Sequence, residues 1–335
     1  MTAPRLLVID ARGGLRHFPR ERLVDTLRTG DLVVANDAAT MPASLHGIHV
    51  ASGEPIEVRL AGWSSVTTDI AGFTAVVFGA GDFHMKTEDR PSPPAIAVHD
   101  ALALGPLSAT VTQVLGHARL VALHFSGSSD EIWAGIAQHG RPVQYAHEQS
   151  PLALWDVWTA LAGRPVAFEP PSAGFALDWQ IIGALRSRHI GFATITHAAG
   201  ISSTGDADLD QHLPFDEPYD VPMSTASAIA RTRASGGRII AIGTTVVRAL
   251  EHSARSDGMV RAGSDIATGR IGRATRLRVV DAILTGVHER GTSHYELLRA
   301  FADDDTLSAA DGELAAHQYR LHEFGDSVLV IPAAL

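Results

Sequence analysis

Between Glu54 and Gln144 the chain consists of short apolar runs, "PIEVRLAG", "FTAVVFG", "PAIAVHDALALG", "LSATVTQVL" and "RLVALHFSG", separated by Gly, Pro, Ser and Asp. Runs of this length and spacing specify the strands of an all-β barrel or sandwich. The flanking texture is different. Before the block, "RLLVID" and "RERLVDTLRTGDLVVAND" give strand, helix, turn and strand, with Leu23, Val24 and Leu27 as the helix's apolar face. After it, "DWQIIGALRSRHI", "GFATITHAAG", "MSTASAIARTRASGG" and "GGRIIAIGTTVVRALEH" alternate helix-like and strand-like segments, followed by "RLRVVDAILTGVH", "SHYELLRAF" and "DSVLVIP". "PLALWDVWTALAG" carries Leu152, Trp155, Trp158 and Leu161 on one stripe and predicts a further helix. A β block between two α/β blocks predicts an α/β fold in which a discontinuous α/β domain (residues 1–53 and 145–335) carries an inserted all-β barrel-like domain (54–144). "EDRPSPPA", Glu88 to Ala95, is expected to be an exposed loop of that insert.

At 335 residues, two domains are a reasonable prior, and 45% hydrophobic content suffices for both cores. The longest apolar runs are strand-sized, so no membrane span is expected. "MTAPRLLVIDARGG" lacks the order of basic, apolar and small-residue regions of a secretory signal, which makes the cytoplasm the default compartment. The chain has no cysteine, so disulfides, thiolate metal sites, iron–sulfur clusters and a cysteine nucleophile are excluded. A net charge of −10 argues against broad nonspecific affinity for nucleic acid. It leaves room for a local basic face toward a structured RNA, for which "RTRASGGR" and "RIGRATRLR" are the candidate segments.

Four stretches could carry chemistry. In "GGRIIAIGTTVVRALEH" a buried-type strand runs through Gly243, Thr244 and Thr245 into a helix, which presents free N–H groups to a carboxylate or phosphate or simply caps the helix. It is not a P-loop, because the lysine and the long glycine-rich spacing are missing. Asn36 and Asp37 end a second buried-type strand, a position that lines the cleft of open α/β sheets or serves as a strand-stopping turn. "PPSAGF" sets Ser172, Ala173 and Gly174 after two prolines, as in a loop over a site. The 17 histidines scatter without the i, i+4 pairing of a zinc helix, so no metal site is expected. His197, after the strand "ATIT", and His212, in the acidic loop that also holds Glu217, are candidate general bases.

Taken in order, these segments resemble one family, the S-adenosylmethionine:tRNA ribosyltransferase-isomerases of queuosine biosynthesis. "GDLVVANDAATMPASLHG", "PPSAGF", "TITHAAG", "IIAIGTTVVRALE", "VVDAILTGVHERGTS" and "YRLHEFGDSVLVIP" each resemble a family segment, and together they span nearly the whole chain. The resemblance implies S-adenosylmethionine as a substrate that donates a ribosyl-derived group, with adenine and methionine leaving. It implies an amine acceptor, the aminomethyl nitrogen of a 7-deazaguanine in tRNA. It further implies Asn36, Asp37, Ser172, Ala173, Gly174, Gly243, Thr244, Thr245 and Arg248 as donor-binding residues, and His197, His212, Glu217 and His288 as catalytic candidates. Of these, Gly243 to Thr245 with Arg248 suit the methionine carboxylate.

The chain departs from the family pattern at several points. Ala38 and Ala39 follow Asn-Asp where the family usually has Thr-Arg. Phe215 replaces a histidine, Gly286 replaces an asparagine, and Glu289-Arg290 stand for Leu-Pro. A tRNA-modifying enzyme with a rebuilt site, a paralogue using a small-molecule acceptor, and a non-catalytic nucleoside-binding relative are all compatible with these changes.

Overall fold

The computed structural model describes residues 3–63, 66, 70–254, 257–321 and 324–332. His322 and Glu323, within "YRLHEFGDSVLVIP", lie outside the described residues. The chain builds a nine-stranded mixed sheet and a closed six-stranded barrel. Four parallel strands form the centre of the sheet, in the spatial order Gly191–His197, Leu32–Asn36, Ile239–Ile242 and Ala282–Gly286. Every residue of Leu32–Asn36 is buried, as expected for a strand with neighbours on both edges and cover on both faces. Successive side chains go to opposite cores. Leu32, Val34, Ile239, Ala241 and Ile283 pack with Val246, Val247 and Leu250 of the helix Thr244–Ser253. Val33, Ala35, Ile240, Ile242 and Leu284 pack with Leu23 and with Ile181 and Leu185 of the helix Trp179–Ser187.

From Leu32–Asn36 the chain goes first to the strand on one side and later to Ile239–Ile242 on the other. The topological switch point, where open α/β sheets bind ligands, therefore lies between Leu32–Asn36 and Ile239–Ile242, outside their carboxyl ends. Beyond Ala282–Gly286 the sheet continues through Ser327–Val330, Arg5–Ile9 and Leu15–Pro19, so N-terminal and C-terminal segments pair directly. The opposite edge is made by Glu217–Val221 and Gly263–Ala267, both running antiparallel to their neighbours.

The barrel closes in the order Leu120–Phe125, Gly72–Phe78, Pro55–Gly62, Ser44–His49, Ala101–Leu104 and Leu107–Val114. Its first strand starts at Ser44, ahead of residue 54, because Ser44–His49 pairs with both Pro55–Gly62 and Ala101–Leu104. Among its apolar core residues sits a buried charged group. Arg59 Nε donates to Glu57 Oε1 at 2.7 Å, and Arg90 donates to the other carboxylate oxygen. Burial alone would push the Glu57 carboxyl up, but Arg59 and Arg90 bring it down to about 2. The Arg59 guanidinium lies 5.3 Å from the Tyr145 ring centroid, and the Tyr145 hydroxyl donates to Glu169. The barrel interior is thus connected by charge to the sheet domain. Arg90 is buried here, although it belongs to the "EDRPSPPA" segment expected to be exposed.

One further local expectation changes. "PLALWDVWTALAG" forms only the 3-10 turn Leu154–Asp156, and Trp155 is 75% exposed. The Asp156 carboxylate takes the Ala153 N–H at 2.9 Å, and Trp158 donates its indole N–H to the Thr40 carbonyl at 2.9 Å. These contacts favour a turn over a helical stripe. Met223–Ala234 follows Pro222 and has no side-chain cap. Two further helices appear. Ser129–His139 starts with a capping box between Ser128 and Glu131, and in Asp304–Ala316 Asp303 caps the Thr306 N–H. Among the described residues no helix is long and apolar enough to cross a membrane.

Candidate active site

At the carboxyl ends of the parallel strands lies a partly open cavity of about 670 Å³. Ser172 and Ala173 form one wall and Ala199 to Ser202 another. Gly243 to Thr245 and Thr285 with His288 come from the ends of the two strands beyond the switch point, and the segment Arg270 to Thr275 closes over them. Gly243 has φ of +92°, a conformation that L side chains rarely adopt. A Cβ there would meet the Ala173 Cβ at 3.4 Å, an ordinary contact, so the backbone turn and not space demands glycine. This turn delivers the first turn of Thr244–Ser253, with its unpaired N–H groups, to the cavity wall. Gly243→Ala is expected to cost about 1–2 kcal/mol of stability through the strained φ. A urea unfolding midpoint unchanged from the parent would contradict this.

Arg248, one helical turn further on, is buried and fully engaged. It donates to Glu217 Oε2, to the Phe215 and Ala267 carbonyls at 3.1 Å each, and to the Gly269 carbonyl at 3.3 Å. The expected role of Arg248 as partner of a methionine carboxylate does not fit this geometry. The guanidinium instead fixes Glu217, whose other oxygen accepts the Gly200 N–H at 2.6 Å. Burial pushes the Glu217 carboxyl up from its ordinary value, against the pull of Arg248. Behind it His197 is fully buried, with Nε2 3.5 Å from Glu217 Oε2 and its ring stacked toward Tyr219. Neither His197 ring nitrogen has a hydrogen-bond partner. Burial, reinforced by Arg248, holds its pKa well below the usual imidazole value, so His197 is neutral at pH 7.

The other expected site residues divide clearly. Ser172 and Ala173 line the cavity, whereas Gly174 packs beneath it against Thr159. Asn36 lies under the floor. Its Oδ1 accepts the Ala38 and His197 N–H groups at 3.0 Å each, and its Nδ2 donates to the His197 carbonyl at 2.9 Å and reaches toward Thr245. Asn36 therefore ties the end of its own strand to the end of the parallel strand Gly191–His197. Asp37 accepts the Thr196 hydroxyl at 2.7 Å and is likewise off the wall. Ala38 and Ala39 are buried, and Phe215 packs against the barrel core. His212 is exposed on a neighbouring groove between barrel and sheet domain, its Nδ1 2.8 Å from the Asp208 carbonyl. His288 does line the cavity, with Nε2 2.8 Å from the Thr285 hydroxyl and its ring stacked on His294 at 4.7 Å.

Several wall residues were not among the expected donor-binding or catalytic residues. Glu169 is buried at the cavity, accepting the Tyr145 hydroxyl and, at 2.9 Å, the Ser202 N–H. Its place directly before "PPSAGF" was the available clue. Thr285, His294, Arg270 and Arg273 are the others, the two arginines belonging to "RIGRATRLR".

A barrel-bearing α/β protein with a cavity at its switch point is the class these features define. The family model for the queuosine biosynthesis protein matches residues 2–330, and the chain belongs to that family. It is 30% identical to the S-adenosylmethionine:tRNA ribosyltransferase-isomerase of Synechococcus elongatus, over 98% of this chain and 90% of that one. Its counterpart in Ralstonia nicotianae is 33% identical, over 99% of this chain and 90% of that one. The crystal structure of S-adenosylmethionine tRNA ribosyltransferase from Thermotoga maritima shares the fold, with a TM-score of 0.51 at 22% identity over 98% of this chain and 93% of that one.

Proposed function

We propose that the cavity binds S-adenosylmethionine and that the chain is a cytoplasmic S-adenosylmethionine:tRNA ribosyltransferase-isomerase. It moves a ribosyl-derived group to the aminomethyl nitrogen of a 7-deazaguanine in tRNA and releases adenine and methionine. The observation that carries this is the siting of Gly243 to Thr245 at the switch point, on a chain that matches its relatives over nearly its whole length. The helix N-terminus at Thr244 suits the methionine carboxylate. The buried carboxylates of Glu169 and Glu217 suit a sulfonium cation, whose positive charge acidifies the neighbouring CH₂. His288 is an imidazole on the wall itself and serves as the base for that proton; His197 acts from behind, as a positioning residue for Glu217. Arg270 and Arg273 at the rim suit tRNA phosphates.

The test is direct. The protein is incubated with S-adenosylmethionine, with and without tRNA carrying the aminomethyl-deazaguanine, and adenine and methionine are followed by mass spectrometry. Release of both only when tRNA is present is expected. Release without tRNA would replace the acceptor by a small molecule or water, and no release under either condition would overturn the proposal.

A further inference from the structure

On the far edge of the sheet, three side chains converge that take no part in the cavity. His17 lies on the edge strand Leu15–Pro19, Glu313 near the end of the helix Asp304–Ala316, and His317 just beyond that helix. One ligand atom from each lies within 4.8 Å of the others. Glu313 Oε2 is 3.3 Å from His17 Nε2 and 3.3 Å from His317 Nε2. An ion bonded at about 2.0–2.1 Å in tetrahedral geometry keeps its ligand atoms about 3.3 Å apart. Two of the three spacings are therefore those of vertices around a zinc-sized ion, and the third lies within 4.8 Å. We propose that His17, Glu313 and His317 form a Zn²⁺ site that joins the N-terminal hairpin to the C-terminal helix.

The surroundings support a built site. His17 Nδ1 is 2.9 Å from the Tyr319 hydroxyl, which can take the Nδ1–H and leave the Nε2 lone pair for a cation. Outer partners of this kind fix the tautomer of metal-bound imidazoles. Glu313 and His317, four residues apart, present their ligand atoms on one side of the helix end. The nearby Arg5 guanidinium sits over the Tyr319 ring, and its charge is paired with Asp326 at 2.9 Å. Two imidazoles and one carboxylate form a donor set suited to Zn²⁺, with a fourth position open to water. No spacing rule detects the site from sequence, because His17 and Glu313 are 296 residues apart. The proposal does not depend on what the cavity binds.

The experiment titrates the full-length protein with Zn²⁺ by calorimetry and records thermal unfolding with and without the ion. The parent is expected to bind one equivalent more than the double variant His17→Ala/His317→Ala. At a hundredfold excess over Kd its Tm should rise by roughly 3–4 °C. Glu313→Gln should weaken binding at least tenfold. In the parent, Co²⁺ should give the intense visible band of a tetrahedral centre, absent from the double variant. The three residues are partly exposed, so the metal-free variants are expected to melt with the parent, which separates lost ligation from lost folding. Equal stoichiometry and equal Tm shifts in parent and double variant would overturn the proposal, as would an octahedral Co²⁺ spectrum in the parent.

Discussion

Arg248→Ala is expected to cost about 3–5 kcal/mol of folding stability, the cost of leaving one member of a buried ion pair without its partner. Four acceptors lose their donor together: the Glu217 carboxylate and the Phe215, Ala267 and Gly269 carbonyls. With the guanidinium gone, the Glu217 carboxyl rises further, since burial already pushes it upward and Arg248 no longer opposes that. Urea unfolding at pH 7 reads the loss directly, and a change under about 1 kcal/mol would contradict the burial argument. The double variant Arg248→Met/Glu217→Leu separates structure from chemistry. It is expected to recover much of the stability, because an apolar pair of similar volume replaces a desolvated ion pair. Adenine release should stay lost, since the Glu217 carboxylate is then missing from the cavity wall.

This result would also show why Arg248 reads so differently in sequence and in structure. "GTTVVRALE" places an arginine one turn past a helix N-terminus, and its sequence neighbours give no hint of a buried acid. That acid, Glu217, is 31 residues earlier, on a strand at the far side of the helix. The features that were legible are local ones. Short apolar runs separated by turn residues marked the insert as a barrel or sandwich, and the run through Gly243 marked a strand–turn–helix with free N–H groups or a plain helix cap. "PLALWDVWTALAG" shows the opposite case, where a helical stripe of apolar residues lost to turn hydrogen bonds at Ala153 and Trp158. Asn36 and His197 were found as conspicuous polar residues at strand ends, but burial decides their work. Both bond or pack within the floor, and neither reaches the wall. Residue type and strand position were therefore readable, whereas which side of the strand end faces the cavity required the packed structure.

His288→Ala is expected to lower the single-turnover rate of adenine release by about 10²–10⁴-fold, the usual contribution of a positioned general base. S-adenosylmethionine affinity should change little, because the proposed anchors at Gly243 to Thr245 stay in place. His288 differs from the other two histidine candidates in its access to the cavity. His197 is sealed beneath Glu217 and His212 faces a separate groove, so only His288 of the three meets the cavity. Its Nε2 contact to Thr285 and its stacking on His294 hold the ring at the end of Ala282–Gly286. His212→Ala serves as the control and should retain the parent rate. A base role further predicts that added imidazole restores part of the activity of His288→Ala. If His288→Ala keeps more than a tenth of the rate, the proton goes elsewhere. Glu169 and Glu217, the buried carboxylates on the same wall, would then be the groups to substitute next.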